Sequence, residues 1–392
     1  LQEPIKNDMG LSDAQLGLLS GFSFAVVYIL AGLPIAYWAD RSNRRNIIAA
    51  ALTIWSGMTA VSGLAQNYTH LLLARIGVGI GEAGGSPPAH SMISDYYPPQ
   101  RRATAMAIYT TGVHIGVLMG FIIGGFVSQA FGWRVAFMAV GIPGVLFALV
   151  FFLTVKEPAR GRWESTAEAT YKPSMRETVK LLSGYRSFWY LAAATGLTAF
   201  TAYGNGNFAP SFLMRNHGFT VAEVGVVLAL FGGGGGLIGT FLGGFLSDRL
   251  AVADKRWYLW LPAMAGCLAV PLGFPYLLLE DTTVVIVFLF LVTICLNTYM
   301  GPCLAISHSL VPPAMRALTS AVLFLVLNLI GLGLGPLTVG LLSDFYAGYF
   351  GDNSLRYAML TVGVLSAPAI VLFILAARHL PGDLAKRPAT GG

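Results

Sequence analysis

The sequence predicts an all-α membrane protein built from two repeated halves. Of its 392 residues, 55% are hydrophobic and only 11% are charged, and the mean hydropathy is +0.68. A membrane helix takes roughly 20 apolar residues, and the chain contains eleven runs of about that length. Residues of the first half recur in the second half at a spacing of a little over 200 positions. The composition, the length of the apolar runs and the internal repeat together predict this fold class.

The eleven apolar runs are separated by short polar connections. Their limits are 16–38, 47–65, 69–96, 102–129, 133–155, 188–214, 221–247, 257–279, 283–311, 317–343 and 357–377. The cysteines Cys267, Cys295 and Cys303 all lie inside these runs without C-x-x-C spacing, which indicates neither a disulfide framework nor a metal site. We therefore expect no metal and no cofactor.

Basic residues are distributed very unevenly between the connections. On alternate connections, lysine and arginine number nineteen on one side and four on the other. By the positive-inside rule, the nineteen face the cytoplasm, and so does the C-terminus. The net charge of +6 is thus explained by topology, and we expect no nucleic-acid partner.

The repeat divides the chain into two halves. At an offset of 208, Gly10, Ala14, Gly17, Asp40 and Arg41 correspond to Gly218, Ala222, Gly225, Asp248 and Arg249. Residues 188–208 have no counterpart near the N-terminus, so we expect an architecture of six plus six spans that lacks its first helix here. The predicted domains are the first half at 1–155, a cytoplasmic linker at 156–187, the second half at 188–380 and a tail at 381–392.

Two charged residues lie within a single span. Arg75 and Glu82 share one face of the run at 69–96, about 10 Å apart along the helix axis. A charge at membrane depth costs about 2.5–3.5 kcal/mol on insertion scales, which favours a functional role. The Gly and Pro residues at 84–88 predict a break directly after Glu82. We expect Glu82 to couple transport to protons, and a permanent structural ion pair is the alternative.

Further polar side chains within spans are candidates for substrate binding together with Arg75 and Glu82. His114 and Asn328 occupy equivalent helices of the two halves and are expected to bound a central site. The full set of added candidates is Tyr109, His114, Tyr203, Asn205, Asn207, Asn297 and Asn328. Helix-to-helix hydrogen bonding is the alternative for each.

The polar segment after the first run carries a recognisable pattern. Asp40-Arg41-Ser42-Asn43-Arg44-Arg45 resembles the signature loop of the major facilitator superfamily, which implies the major facilitator fold. A carboxylate there can hold a cytoplasmic gate closed by pairing with arginine or a helix N-terminus. The gate candidates are Asp40, Arg41, Arg44, Arg45, Arg102, Asp248, Arg249 and Arg316. Alternatively, these charges only set the topology.

Three further segments indicate which branch of the superfamily the sequence resembles. The stretches at 11–19, 81–83 and 94–102 resemble the spinster branch of that superfamily in a bacterial form. The resemblance implies a monomeric transporter of the bacterial inner membrane that exports a lysophospholipid or a sphingosine-phosphate-like lipid, with Arg75 binding the phosphate. An Asp-Arg pair that this family carries on its first helix has no counterpart here.

Other functions remain open as alternatives. A facilitator for a small organic anion, sugar or drug is one, and a channel or receptor, which the two-half repeat argues against, is another. The five glycines at 232–236 are not followed by the Gly-Lys-Ser/Thr of a phosphate-binding loop, so ATP-driven pumping is not indicated. No nucleophile, base and orienting group lie at a recognisable spacing, and we expect no enzyme activity.

Overall fold

The structure is a computed structural model that describes residues 1–39, 41–160, 163, 174–312 and 315–386. Within those ranges the regular structure is helical throughout, without strands. The helices of the first half are α1 Gln2–Met9, α2 Asp13–Gly17, α3 Ser23–Ala39, α4 Arg44–Ser62, α5 Tyr68–Ala83, α6 Ser86–Tyr96, α7 Pro99–Phe131 and α8 Trp133–Thr154. Those that follow are α9 Met175–Ser183, α10 Arg186–His217, α11 Val221–Val227, α12 Gly234–Ala251, α13 Trp257–Leu278, α14 Thr282–Leu296, α15 Met300–Ser309, α16 Arg316–Leu327, α17 Gly335–Phe350, α18 Ser354–Leu365 and α19 Pro368–Ala385.

All eleven predicted runs are helical. Seven continuous stretches of the described chain are long and apolar enough to cross a membrane, and they account for eight of the eleven runs because one stretch, Arg316–Ala385, contains two of them. The other three runs correspond to α4, to the interrupted pair α5 and α6, and to α10, all of which carry more polar residues. The expected all-α membrane architecture is confirmed.

The repeat is visible in local backbone structure. Gly10 and Gly218 end α1 and α10 with φ of +62° and +68°, a conformation that glycine adopts without a steric penalty. Two residues later, Ser12 and Thr220 each begin a helix with a reciprocal capping box. Each capped helix then runs into a π-helical segment, Leu18–Phe22 in one case and Leu228–Gly233 in the other. The same local device therefore occurs once in each half.

A second repeated device interrupts one span of each half. Asn67 caps α5 and Asp281 caps α14, 214 positions apart, and in both cases the side chain accepts a hydrogen bond from a backbone N–H of the first turn. The first helix of each pair ends at Ala83 or Leu296, and a new helix begins at Ser86 or Met300. A break at this position thus belongs to the repeated architecture.

The chain divides into two compact units. The first comprises Leu1–Thr170 with Gly218–Ala229, and the second comprises Tyr171–His217 with Leu230–Gly392. Helix α11, which belongs to the second half by sequence, is therefore part of the first unit. There it packs on α7, where Gly125 and Gly225 bring the two backbones close together and Gln129 Oε1 accepts a hydrogen bond of 2.9 Å from Ala222 N.

The second unit has a continuous buried core. Helices α10, α16 and α19 pack around it, and α15 closes one side. Its fully buried side chains include Phe188, Leu191, Cys303, Ile306, Leu323 and Phe373. Asp383 near the end of α19 accepts a hydrogen bond of 2.8 Å from Ser187 N, which satisfies a backbone donor at the start of α10.

Candidate functional site

The charged residues of α5 are held in different surroundings. Arg75 is half-buried, and its guanidinium carbon lies 5.9 Å from the centre of the Phe24 ring on α3, near the outer limit of a cation–π contact. Glu82 is exposed. In the described part of the chain, neither side chain forms an ion pair within 4.0 Å. Both charged groups thus remain able to meet a ligand, a proton or water.

Glycines fix the position of α5 against its neighbours. A Cβ added at Gly81 would lie 2.6 Å from Trp55 N, and one added at Gly77 would lie 2.7 Å from the Met58 side chain, so only glycine allows α4 to approach this closely. Gly79 faces Phe24 of α3, where an added Cβ would lie at an ordinary contact distance of 3.4 Å. Gly77 and Gly81 therefore hold the charged helix close to α4.

The predicted break after Glu82 is confirmed. Helix α5 ends at Ala83, where Gly85 N donates to the Glu82 carbonyl over 3.1 Å, and α6 begins at Ser86 with proline in its first turn. The carboxylate therefore stands on the last turn before the break. In the second half, the positions equivalent to Arg75 and Glu82 are Leu289 and Leu296. The break recurs in both halves, whereas the charges occur only in the first.

The other candidates of the first half lie on α7. Tyr109 packs against His90 of α6, with ring centres 5.2 Å apart and the rings nearly perpendicular. The side chain of His114 lies outside the described residues. A substrate-binding role for these two residues stays a prediction.

The candidates of the second half mostly bond to helix backbone. Asn207 Nδ2 donates to the Tyr203 carbonyl over 2.9 Å, and Asn297 Nδ2 donates to the Thr293 carbonyl over 2.8 Å at the end of α14. Asn205 Nδ2 donates to the Met359 carbonyl on α18 over 3.2 Å. These bonds agree with the helix-stabilising alternative for the amide donors. The carbonyl oxygen of each amide is a separate acceptor.

Tyr203 and Asn328 occupy special places in their helices. Tyr203 is 36% exposed in the middle of α10, so its ring lies on the surface of the second unit. Asn328 is the first residue of a π-helical segment, Asn328–Leu334, and its side chain is half-buried. Segments of this type are frequent at functional sites, and the role of Asn328 in binding stays a prediction.

At the predicted gate, Asp40 lies outside the described residues, and Arg44 is the best-connected side chain. Arg44 is 2% exposed and pairs with Asp95 over 2.5 Å and with Glu157 over 2.7 Å. Its remaining donors reach Ser91 Oγ over 2.8 Å and the Pro158 carbonyl over 3.2 Å. We call Arg44, Asp95 and Glu157 the buried charge cluster. Burial lowers the pKa of Arg44, but its hydrogen bonds to Asp95 and Glu157 raise it more, so the guanidinium stays charged.

The first residues of the linker dock on this cluster. Glu157 Oε2 accepts a hydrogen bond of 2.9 Å from Arg45 N at the start of α4. Arg160 donates to the carbonyls of Ala39 and Ser42, both over 2.6 Å, and Trp163 Nε1 donates to the Asp95 carbonyl over 3.0 Å. The linker thus holds the loop between α3 and α4 against the end of α6.

The remaining basic candidates of the first half have local partners. Arg41 lies 3.5 Å above the Tyr37 ring, and Arg45 lies 4.7 Å from the Phe152 ring. Arg102 Nε donates to the carbonyls of Ser94 and Tyr97 over 3.0 and 3.2 Å. Through these hydrogen bonds, Arg102 stabilises the turn that connects α6 to α7.

The gate candidates of the second half are more exposed. Asp248 Oδ1 accepts a hydrogen bond of 2.8 Å from the Tyr258 hydroxyl, and Arg249 and Arg316 are exposed. The gate role of Asp248, Arg249 and Arg316 stays a prediction. Sequence reasoning missed Asp95 and Glu157. The available signal was an acidic residue at or just after the end of a span, close to the predicted basic loop or linker.

Comparisons with known proteins agree in fold and family. The family description "Major Facilitator Superfamily" matches residues 1–336 and again 191–391. An MFS-type efflux pump of Mycolicibacterium smegmatis is 34% identical over 98% of this chain and 89% of its own length. A probable L-galactonate transporter of Escherichia coli is 25% identical over 97% of this chain and 84% of its own length. The crystal structure of a bacterial homologue of the human lysosomal transporter spinster, 34% identical, superposes with a TM-score of 0.89 over 97% of this chain and 92% of that one.

Proposed function

Because this chain belongs to the major facilitator superfamily and is a spinster-like, non-enzymatic transporter, we propose that it moves an amphipathic lysophospholipid or sphingosine-phosphate-like lipid across the membrane by alternating access, driven by protons. The observation that supports this most strongly is the charged helix α5. Its counterpart α14 has the same cap and the same break but carries leucine at both charged positions. Two charges that the fold does not require indicate a specific task for this helix.

The cationic position suits an anionic head group. A guanidinium binds phosphate through two parallel hydrogen bonds, and in the described part of the chain Arg75 lies 5.9 Å from the Phe24 ring and forms no ion pair within 4.0 Å. Bound phosphate would offset the cost of keeping Arg75 in a span. The Phe24 ring beside Arg75 offers an apolar contact to an acyl chain, which a fully water-soluble substrate does not need.

The carboxylate is suited to carry the proton. Glu82 is exposed and lies on the last turn of α5, beside glycines that let the backbone change direction. A carboxyl group that meets water on one side and a drier environment on the other releases and takes up a proton as its surroundings alternate. We therefore assign proton coupling to Glu82 and substrate binding to Arg75.

A small organic anion is the second candidate substrate. A carboxylate presents the same two-oxygen face to Arg75 as a phosphate does, and the related protein named as a probable L-galactonate transporter would carry such a group. Besides the anionic group itself, the two candidates differ in the apolar chain, which only the lipid carries. Competition between a lysolipid and a sugar acid therefore decides between them.

The test is flux in proteoliposomes containing the complete chain. We expect a proton gradient to drive transport of a lysolipid with an attached fluorophore. Glu82→Gln should abolish the effect of the gradient but leave the exchange of lysolipid across the membrane intact. Arg75→Gln should weaken lysolipid binding at least tenfold, because a charged bidentate contact contributes about 1.5–3 kcal/mol. Arg75→Lys should retain part of this affinity.

The matched control is Glu280→Gln, which neutralises an exposed glutamate in the connection before α14. It should behave as the unaltered protein. Gradient-driven flux that persists unchanged in Glu82→Gln would refute the proposed role of Glu82 in proton coupling. Inhibition by galactonate but not by a lysolipid would replace the lipid substrate with an organic anion.

A further inference from the structure

A cavity lies entirely within the second unit, between α10, α13, α14 and the α18–α19 pair. Its volume is about 50 Å³. A single water needs roughly 10–15 Å³ on this scale, so the cavity holds a group the size of a short chain of about four non-hydrogen atoms. Two of the residues that line it, Phe274 and Val364, are 41% and 46% exposed, so the cavity reaches the helix surface.

The wall excludes charged ligands. Among the described residues, those lining the cavity include no Asp, Glu, Lys, Arg or His. A charged group placed there would lose its hydration without gaining a counter-charge, which costs far more than a hydrogen bond returns. Aliphatic and aromatic side chains such as Leu277, Val292 and Phe373 supply most of the surface. The ligand is therefore neutral and largely apolar.

Two polar atoms at the cavity lack a protein partner. The Tyr276 side chain is 3% exposed and packs its ring edge-on against Phe212, yet its hydroxyl has no hydrogen-bond partner among the described residues. Asn205 donates through Nδ2 to the Met359 carbonyl, which fixes the amide and leaves its buried Oδ1 equally without a partner. Buried polar atoms are paired in the great majority of cases. Both residues line the cavity, so a ligand there can supply the missing partner once the side chain shifts slightly toward it.

From this geometry we infer that the cavity binds a neutral amphiphile by its hydroxyl group. A hydroxyl group both donates and accepts, so it can donate to Asn205 Oδ1 or accept from the Tyr276 hydroxyl. The attached alkyl portion packs against the apolar wall and leaves the cavity past Phe274 and Val364. Both a long-chain alcohol and an acylglycerol of the surrounding bilayer have this chemistry.

The inference is tested independently of the transport roles proposed for Arg75 and Glu82, although Asn205 is also a candidate residue of the substrate site. The two orphaned atoms, Asn205 Oδ1 and the Tyr276 hydroxyl, belong to the second unit, whereas Arg75 and Glu82 belong to the first. Its test measures covalent labelling of the cavity and not the flux of substrate across the membrane. Loss of transport in Glu82→Gln would leave it unaffected, and loss of labelling would leave the transport proposal unaffected.

The experiment uses a diazirine derivative of octanol on the complete chain in proteoliposomes, followed by peptide mass spectrometry. We expect adducts on peptides of α13 and α19 that line the cavity, and competition by octanol but not by octane. Competition by a dilauroylglycerol as well would identify a bilayer lipid as a ligand, whereas competition by octanol alone would restrict the site to smaller alcohols. Either result supports the site, and equal competition by octane overturns the role of the hydroxyl.

Two variants and a control sharpen the test. Tyr276→Phe removes only the orphaned hydroxyl and should weaken labelling about two- to tenfold, the equivalent of one neutral hydrogen bond. Gly273→Val should abolish labelling, because Gly273 lines the cavity and the new side chain would fill part of it. An added Cβ there meets no atom within 4 Å, so the fold itself should tolerate the change. Gly348→Val adds the same side chain at an equally open glycine outside the cavity and should have no effect. Unchanged labelling in both Tyr276→Phe and Gly273→Val, with folding verified by thermal unfolding, overturns the inference.

Discussion

Removing Arg44 should destabilise the first unit more than removing any exposed arginine of the same loop. Arg44 makes four side-chain hydrogen bonds, two of them to the carboxylates of Asp95 and Glu157. Its side chain is 2% exposed, so Arg44→Met leaves two carboxylates without their buried cation. Breaking a buried ion pair from one side costs about 3–5 kcal/mol, which is the loss in unfolding free energy that we expect.

The assay is thermal unfolding of the detergent-solubilised protein, in which size-exclusion chromatography of heated samples measures the fraction that stays folded. For a cooperative unit of this size, a loss of that magnitude lowers the midpoint by on the order of 10 °C. Arg44→Lys keeps the positive charge but replaces a planar fork with a single ammonium group, and we expect it to recover about half of the loss. Arg41→Met is the matched control, because Arg41 is exposed on the same loop and packs on Tyr37.

A double-mutant cycle then isolates the interaction. If Arg44 and Asp95 act as a pair, Arg44→Met combined with Asp95→Asn should be less destabilising than the two single changes added together, with a coupling energy of about 0.5–3 kcal/mol. A midpoint for Arg44→Met equal to that of Arg41→Met would refute the reasoning. Such a result would mean that the buried charge cluster contributes only to membrane orientation.

Two more changes test the packing of the units. Gly225→Ala should cost about 1–3 kcal/mol in thermal unfolding, since the new Cβ would lie 2.5 Å from the Phe121 carbonyl oxygen, whereas Gly124→Ala meets no atom within 4 Å and should be neutral. Burial raises the pKa of Asp383, but hydrogen bonds from Ser187 N and Lys386 Nζ together lower it more, so the folded pKa lies below that of the unfolded chain. The stabilisation by Asp383 is therefore fully present above about pH 4 and is lost as the pH falls through the folded value. Asp383→Asn should accordingly lower the unfolding midpoint at pH 7, and the difference from the unaltered protein should narrow below about pH 4; a difference that is constant with pH would contradict this assignment.

Those parts of the fold that depend on local sequence were predictable. Span length follows from runs of apolar residues, and the break after Glu82 follows from adjacent glycines and prolines. The repeat was readable because turn glycines such as Gly10 and Gly218 cannot be replaced without strain. Each of these features is decided by residues that are close together in the sequence, within a single span or turn.

Contacts between distant segments were not predictable in the same way. Arg44 meets Asp95 and Glu157, which lie 51 and 113 positions further along the chain, and no periodicity of a single helix encodes that encounter. The pairing depends on where α4, α6 and the linker meet in space. For the same reason, the sequence presents Tyr276 only as an aromatic residue in an apolar run. The orphaned hydroxyl appears only once α10, α13 and α19 are assembled.

The repeated break and the unrepeated charges separate what the fold needs from what the function needs. Both halves interrupt the equivalent span after a helix with an Asn or Asp cap, so the break itself requires no charge. Keeping Arg75 and Glu82 in the first half costs about 5–7 kcal/mol on insertion scales, a large fraction of the stability of a typical domain. Leucine at both positions would avoid that cost, as Leu289 and Leu296 do in the second half. A ligand or a proton that meets these charges during each cycle is the kind of interaction that offsets the cost, and this is why we propose that α5 carries the chemistry of transport.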